Sequence, residues 1–192
     1  MKTLLISAAI AAAAIMPSAA TAQALPAAVV AVVDLDRVTA ECNACKTAQA
    51  ALKNQVQAYQ TREQSLATPL ETEQKSIQAA IDALKGKEPD AALKARVESF
   101  QNKQQQAARE LSTQQQQIQR NQQYIQKQIQ DKLNPIYQQV MQRRGANLLV
   151  EVGTTLATAQ NVDVTNDVLA ALNAALPTLV TTAPAAPAPQ GR

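Results

Sequence analysis

The sequence predicts an α+β protein in which a long antiparallel α-helical coiled-coil hairpin projects from a small β body. Three observations predict this fold. Two apolar heptad patterns lie on either side of one turn that contains Gly and Pro, short β-branched segments flank the pair, and only 2% of the 192 residues are aromatic, with no Trp. The hairpin is therefore expected to form most of the molecule.

The hairpin is predicted over residues 41–143, where apolar residues recur at steps of three, four or seven. The first seam consists of Leu52, Val56, Tyr59, Leu66, Leu70, Ile77, Ala80 and Leu84. The second consists of Leu93, Val97, Phe100, Ala107, Leu111, Ile118, Ile125, Ile129, Leu133, Ile136 and Val140. A turn is predicted at 85–91, and each arm should be about 60–70 Å long.

Two prolines interrupt the helical patterns. Pro69 predicts a kink or hinge in the first arm, or a regular coil that begins only after it, and Pro135 predicts the return of the second arm to the body. Between them, fourteen of the thirty residues 101–130 are Gln. Such a tract is typical of disordered sequence, but its interleaved apolar residues favour a solvated, weakly packed coiled coil.

The flanking segments predict a discontinuous β body, residues 23–40 and 144–176. Residues 29–33 and 147–152 are apolar runs typical of strands, and 154–159 predict a weaker third strand. So few short strands cannot form a stable body alone, and we expect their edges to pair between copies of the chain. The candidate interface residues are Val29, Val30, Val32, Val33, Leu148, Leu149 and Val150.

Helix signals complete the prediction for the body. A helix is predicted to begin within residues 37–48, with Thr39 as one candidate for its N-cap, and Thr165 is the expected N-cap of a last helix over 166–176. The residues that follow, 177–192, are rich in Ala and Pro, and they are expected to form a disordered tail.

Residues 1–22 are typical of a cleavable signal peptide. Lys2 precedes an apolar run at 4–16, and Ala20-Thr21-Ala22 is a small-x-small cleavage site. The alternative is a membrane anchor, but the apolar run is too short to span a bilayer. The mature chain is therefore expected to be exported, which in a Gram-negative cell means the periplasm.

Cys42 and Cys45 are the only cysteines and the only candidates for chemistry. A redox-active pair is one interpretation, but the alternating strands and helices of a thioredoxin-like sheet are absent from the pattern. A structural disulfide or two unreactive thiols are the alternatives, and exported pairs usually oxidise. The chain has no His and only four Gly, so neither a zinc site, a c-type haem nor a phosphate-binding loop is predicted. We therefore expect no enzyme activity, metal or cofactor.

The order of these segments resembles the Skp/OmpH family of periplasmic chaperones. The matching segments are residues 29–38, the hairpin, residues 147–151 and residues 162–169. The resemblance implies a homotrimer whose β body is completed by trimerisation and whose arms enclose a cavity. It also implies that unfolded outer membrane proteins are held there, without nucleotide, before membrane insertion.

Charge is unevenly distributed along the chain, whose formal net charge is +3. Residues 85–144 carry eleven Lys or Arg against five Asp or Glu. The candidate client-binding residues are Lys85, Lys87, Lys94, Arg96, Lys103, Arg109, Arg120 and Lys127. They could attract acidic clients, lipopolysaccharide phosphates or an anionic membrane surface, although each alone is equally typical of a solvated helix face.

Other protein classes fit the pattern less well. Nucleic-acid binding is opposed by export and by the scarcity of aromatic residues. A structural spacer or adaptor of the cell envelope, like the hairpins of efflux adaptor proteins, is the main alternative, but the segments that flank this hairpin are short for it.

Overall fold

The computed structural model describes residues 25–185, so the predicted signal peptide lies outside the described residues. The described chain is mostly helical, with two long helices and one small two-stranded parallel sheet. In order, its elements are β1 (Val30–Val33), α1 (Leu35–Glu41), α2 (Asn43–Ala83), α3 (Ala91–Arg144), β2 (Leu148–Glu151), two short 3-10 turns (Val152–Thr154 and Gln160–Val162) and α4 (Thr165–Ala175).

The two long helices are separated by the short turn that the sequence predicts. Lys85 and Gly86 adopt positive φ angles of 48° and 88°, and the Asp90 side chain then caps α3 by accepting a hydrogen bond from the Leu93 N–H at 2.8 Å. At 1.5 Å per residue, the 41 residues of α2 span about 60 Å and the 54 of α3 about 80 Å. At the far end, Gly145 ends α3 in the left-handed conformation, with φ 66°.

Both prolines lie inside these helices. Helix α2 continues through Pro69, so the regular helix does not begin after it, and Pro135 lies within α3 rather than at its end. A proline removes only one helical hydrogen bond, and the turns on both sides of each proline are held by the partner helix or by the body. The Gln-rich residues 101–130 are likewise helical throughout.

The sheet pairs β1 with β2 in parallel, with Val30 opposite Leu148 and Val33 opposite Glu151. The α2–α3 pair is thus the crossover that a parallel pair requires. The predicted third strand at 154–159 is wrong, because this segment carries no strand and Leu156 is fully exposed. Asp163 instead forms an isolated parallel bridge with Val32 on the other edge of β1.

The core of the body lies where α1, α4 and the lower part of α3 meet the sheet. Its least exposed members are Val38, Cys42, Val140, Val168 and Leu172, each 0% exposed. The chain therefore buries a small core of its own before any association with other copies.

The helix starts in the body differ from the predicted ones. Asp34 caps α1, since its Oδ1 accepts from the Arg37 N–H at 2.8 Å, whereas Thr39 lies inside that helix. Thr165 is the first residue of α4, and its hydroxyl accepts from the Asp34 N–H at 2.9 Å. Both polar groups therefore join β1 to the helices around it.

The prediction of a disordered tail over 177–192 is wrong for residues 177–183, and residues 186–192 lie outside the described residues. Leu176 is 5% exposed and Leu179 packs against the body core, so the chain is held at the base of α3. Residues 178–183, which include Leu179, lie along α2 and α3, and we call this segment the C-terminal strap. Composition alone suggested disorder, but the strap satisfies its main-chain groups with side chains of the long helices.

Candidate functional site

The facing surfaces of α2 and α3 are joined by polar pairs as much as by apolar contacts. Arg62 donates to both carboxylate oxygens of Glu110, at 2.5 and 3.0 Å, and Arg96 donates to those of Glu73, at 2.7 and 2.9 Å. Each hydrogen-bonded guanidinium lowers the pKa of its carboxylate partner. Nearer the body, the Asn121 side chain is 3% exposed and donates to Gln55 Oε1 at 2.8 Å.

Apolar burial along the same seam is sparse. Outside the body core, the buried apolar residues of the described helices are Ala48, Ile77, Ala107 and Ile125. A seam with so few large buried side chains gains little from apolar packing, so the two helices are free to separate locally more readily than a Leu-rich zipper.

Two open cavities lie in the groove between the long helices. The first, about 440 Å³, is lined by Gln55, Tyr59, Gln114 and Ile118 among others. The second, about 430 Å³ and nearer the turn, is lined by Leu66, Leu70, Lys103 and Ala107 among others. Arg62 lines both cavities, so they are neighbouring parts of one groove with mixed apolar and charged walls.

The structure places the predicted client-binding cations in different surroundings. Lys85 and Lys87 lie in the turn, Lys94 lies in the first turn of α3, and all three side chains are exposed. Arg96 and Lys127 are engaged in ion pairs, with Glu73 and Asp131. Lys103 lines the second cavity, exposed Arg109 lies in the same part of α3, and Arg120 is hydrogen-bonded to Gln117. The eight cations thus form no single patch, and their role in binding stays a prediction.

The sheet has one open apolar edge. In the described chain no strand pairs with the outer edge of β2, and Leu148 on that strand is 46% exposed. Val29 and Val30 are 49% and 38% exposed, Leu149 and Val150 are half-buried, and Val32 and Val33 are buried within the chain itself. A cavity of about 430 Å³ lies beside β2. Of the predicted interface residues, Val32 and Val33 therefore already belong to the core of one chain.

Cys42 and Cys45 are joined in a disulfide at the junction of α1 and α2. Both residues are buried, at 0% and 2% exposed, and Cys42 Sγ accepts a hydrogen bond from the Cys45 N–H at 3.2 Å. The bridge thus closes the junction of α1 and α2 locally, and both of its residues are buried in the body core.

Sequence reasoning missed the contacts of the C-terminal strap. Its main chain is hydrogen-bonded by Gln55, Gln117, Asn121 and Gln128, none of which was a predicted site residue. The only signal was indirect: polar Asn121 occupies a position on the inward face of α3, one heptad from Gln128 and Gln114.

Within residues 25–185, no helix combines the length and the hydropathy that a membrane span needs.

Comparison with known proteins identifies the family. The family model of OmpH-like outer membrane proteins matches residues 29–172, which include the sheet, the long helices and most of α4. The chain belongs to the OmpH-like family. The predicted membership is thereby confirmed, and no curated protein gives a match.

Solved structures with the same fold include the following one. It is that of a candidate OmpH-like outer membrane chaperone from Caulobacter crescentus, 24% identical, with a TM-score of 0.66. The alignment covers 82% of this chain and 90% of the other, so the likeness extends over nearly the whole OmpH-like protein.

Proposed function

We propose that this OmpH-like protein is an ATP-independent holdase of the periplasm. It binds unfolded outer membrane β-barrel proteins between the arms of a homotrimer and prevents their aggregation before membrane insertion. The observation that carries the proposal is the family match over residues 29–172, together with two helices too long to be part of a compact body.

The arm is an antiparallel hairpin in this proposal. The pairs Gln55–Asn121, Arg62–Glu110 and Glu73–Arg96 join residues progressively later in α2 to residues progressively earlier in α3. Such an arm extends about 60 Å from the body and offers scattered apolar and charged groups along its length. Many weak contacts of this kind hold an unfolded chain through effective concentration and release it without an energy source.

Trimerisation supplies the remaining parts of the body. The open edge of β2 presents main-chain hydrogen-bonding groups and the exposed Leu148, and pairing between copies would cover both. Three arms around one body enclose a space that a single hairpin lacks. Exposed Lys85, Lys87 and Lys94 would face acidic clients, lipopolysaccharide or an anionic membrane surface at the far end of that space.

A light-scattering assay tests the proposal. Mature protein, added at one trimer per client, should suppress aggregation of an outer membrane β-barrel diluted from urea, without ATP. A variant with residues 61–113 replaced by a short Gly-rich linker removes the outer arm but keeps the lower pair Gln55–Asn121. This variant should stay trimeric in sedimentation analysis and lose the suppression. Unchanged scattering with the full chain would reject the holdase and favour a spacer of the cell envelope.

The trimer has its own test. Leu148→Lys places a charge on the open edge at a position that a single chain leaves 46% exposed, so the protomer should still fold. Sedimentation should then show a mass below that of the trimer. Leu156→Lys, at a fully exposed position away from the sheet, is the matched control and should leave the mass unchanged. A trimer that survives Leu148→Lys intact would place its interface elsewhere.

A further inference from the structure

The C-terminal strap is held by side-chain amides that contact only its main chain. At its start, the Val180 N–H donates to Gln128 Oε1 at 3.1 Å, and Gln128 Nε2 donates back to the Val180 carbonyl at 2.9 Å. One glutamine thus pairs with one residue of the strap as a neighbouring strand would.

The same pattern recurs further along the strap. The Ala183 N–H donates to Asn121 Oδ1 at 2.8 Å, and the Ala183 carbonyl accepts from Gln117 Nε2 at 3.3 Å. Between these points, the Thr181 carbonyl accepts from Gln55 Nε2 at 3.2 Å. Five main-chain groups of a short segment are therefore satisfied by four amide side chains of the two long helices.

The spacing of these contacts matches an extended chain. Gln128 and Asn121 are seven residues apart on α3, which is about 10.5 Å along the helix axis. Val180 and Ala183 are three residues apart, which is about 10 Å in an extended chain. Amides one heptad apart therefore meet every third residue of an extended peptide, and Gln114 lies one further heptad along.

Apart from Leu179, which packs against the body core, the strap's own side chains take little part in this recognition. Val180 is 56% exposed and Thr182 is exposed, and no side chain of the strap makes a hydrogen bond within the described chain. An amide can donate and accept, so it suits any main chain that presents an N–H and a C=O. The amides of the site therefore recognise main-chain groups, which every sequence offers.

The groove continues beyond the strap. The cavity of about 440 Å³ touches Thr182 and extends past Gln114 to Arg62, where the cavity of about 430 Å³ begins. The strap therefore covers only the part of the groove near the body, and the rest is open along the arm.

We propose that this groove, from Gln128 to Arg62, is a binding site for extended unfolded polypeptide, and that the strap occupies its part near the body until a client segment displaces it. The inference rests on the proposed holdase function and assigns its contacts to the amides of the Gln-rich tract. The amides give main-chain hydrogen bonds to any sequence, and the open cavities beyond accept apolar side chains. The strap keeps the part of the groove near the body covered when no client is present.

Competition between the strap and a client segment determines how much the strap lowers the affinity for the client. If the strap occupies the groove in nine of ten molecules, client affinity is lowered about tenfold, because only the open fraction binds. The double variant Val180→Pro and Ala183→Pro removes both donor N–H groups of the strap without changing chain length or the groove. It should bind an extended peptide at least about fivefold more tightly than the wild type.

Fluorescence anisotropy with labelled ten-residue peptides measures this change. The probes are a peptide of residues 176–185, a scrambled version of it, and a version N-methylated at Val180 and Ala183, which lacks both donor N–H groups. The first two should bind the proline variant equally, and the third should bind at least about fivefold more weakly. Gln55→Ala with Gln128→Ala, added to the proline variant, should abolish the gain, whereas exposed Gln126→Ala, the matched control, should not.

Two results would overturn the inference. Equal affinity of the wild type and the proline variant would show that the strap does not cover the site, and loss of binding by the scrambled peptide would show that side chains are read. Light scattering separates this inference from the holdase itself. If the wild type suppresses client aggregation but neither strap nor Gln variants alter peptide binding, the holdase stands and the groove assignment fails. If the variants change peptide binding as expected but the wild type does not suppress client aggregation, the groove assignment stands and the holdase fails.

Discussion

Removal of the Leu172 side chain from α4 should destabilise the body strongly. Leu172 is 0% exposed and belongs to the core cluster that contains Val38 of α1 and Val140 of α3. Replacement by Ala removes apolar burial and leaves a cavity that close-packed neighbours fill only in part, at a cost of about 2–5 kcal/mol. Whole domains are stable by only about 5–15 kcal/mol, so this one side chain accounts for a large share of the total. The melting temperature should fall by about 6–12 °C for a cost near 3 kcal/mol.

Tyrosine fluorescence during urea unfolding measures this change in the body rather than in the arm. The chain has three tyrosines and no Trp, so Tyr59→Phe with Tyr124→Phe leaves Tyr137, which packs against the body core, as the only reporter. Protein concentration is held fixed, because association would shift the midpoint. Leu156→Ala, at a fully exposed position, is the control and should change the free energy of unfolding by less than about 0.5 kcal/mol. A loss below about 1 kcal/mol for Leu172→Ala would refute the packing of α4 against α1 and α3.

Three further predictions concern caps, charge and the disulfide. Asp34→Ala should lower the free energy of unfolding by about 1 kcal/mol in the same urea assay, while Asp34→Asn, which keeps the accepting oxygen, should not. The hydrogen bond from Arg62 lowers the pKa of Glu110 in the folded arm, so the stabilisation is present above the usual carboxyl range and is lost as pH falls through the folded pKa. In an NMR titration, Arg62→Gln should raise the pKa of Glu110, and an unchanged pKa would contradict the pairing. Because the disulfide of Cys42 is buried, dithiothreitol followed by maleimide should label the native protein much more slowly than the protein in urea, and equal rates would contradict its burial.

The long helices could be predicted from sequence because their signals are local. The turn has the only Gly and Pro between residues 70 and 134, Asp90 supplies a side-chain cap, and Gly145 ends α3 after two basic residues. Each signal acts within a few residues of the place where it is read, so no knowledge of the tertiary structure is required. The heptad patterns were informative for the same reason.

The prolines and the strap could not be predicted because distant residues decide them. Pro69 lowers the local preference for helix, but the surrounding turns of α2 are held by α3, which is remote in sequence. The strap is rich in small residues and Pro, yet its main chain bonds to amides more than fifty residues earlier. The composition of a segment indicates how much conformational entropy it loses on ordering. It does not indicate which residues elsewhere in the chain can hydrogen-bond to that segment.

The glutamines of α3 combine two properties that conflict in an ordinary coiled coil, namely pairing of the helices and the proposed binding of main chain of any sequence. A seam of Leu would hold the arms tightly and leave no main-chain recognition on their surface, whereas charged residues would restrict binding to oppositely charged peptides. An amide is uncharged, is easily desolvated compared with a carboxylate, and offers both a donor and an acceptor. The Asn121 side chain makes both kinds of hydrogen bond. It donates to Gln55 across the helix pair and accepts from the N–H of Ala183 in the strap. In the proposed holdase, such a surface would bind many extended sequences weakly, which is the property that release without nucleotide requires.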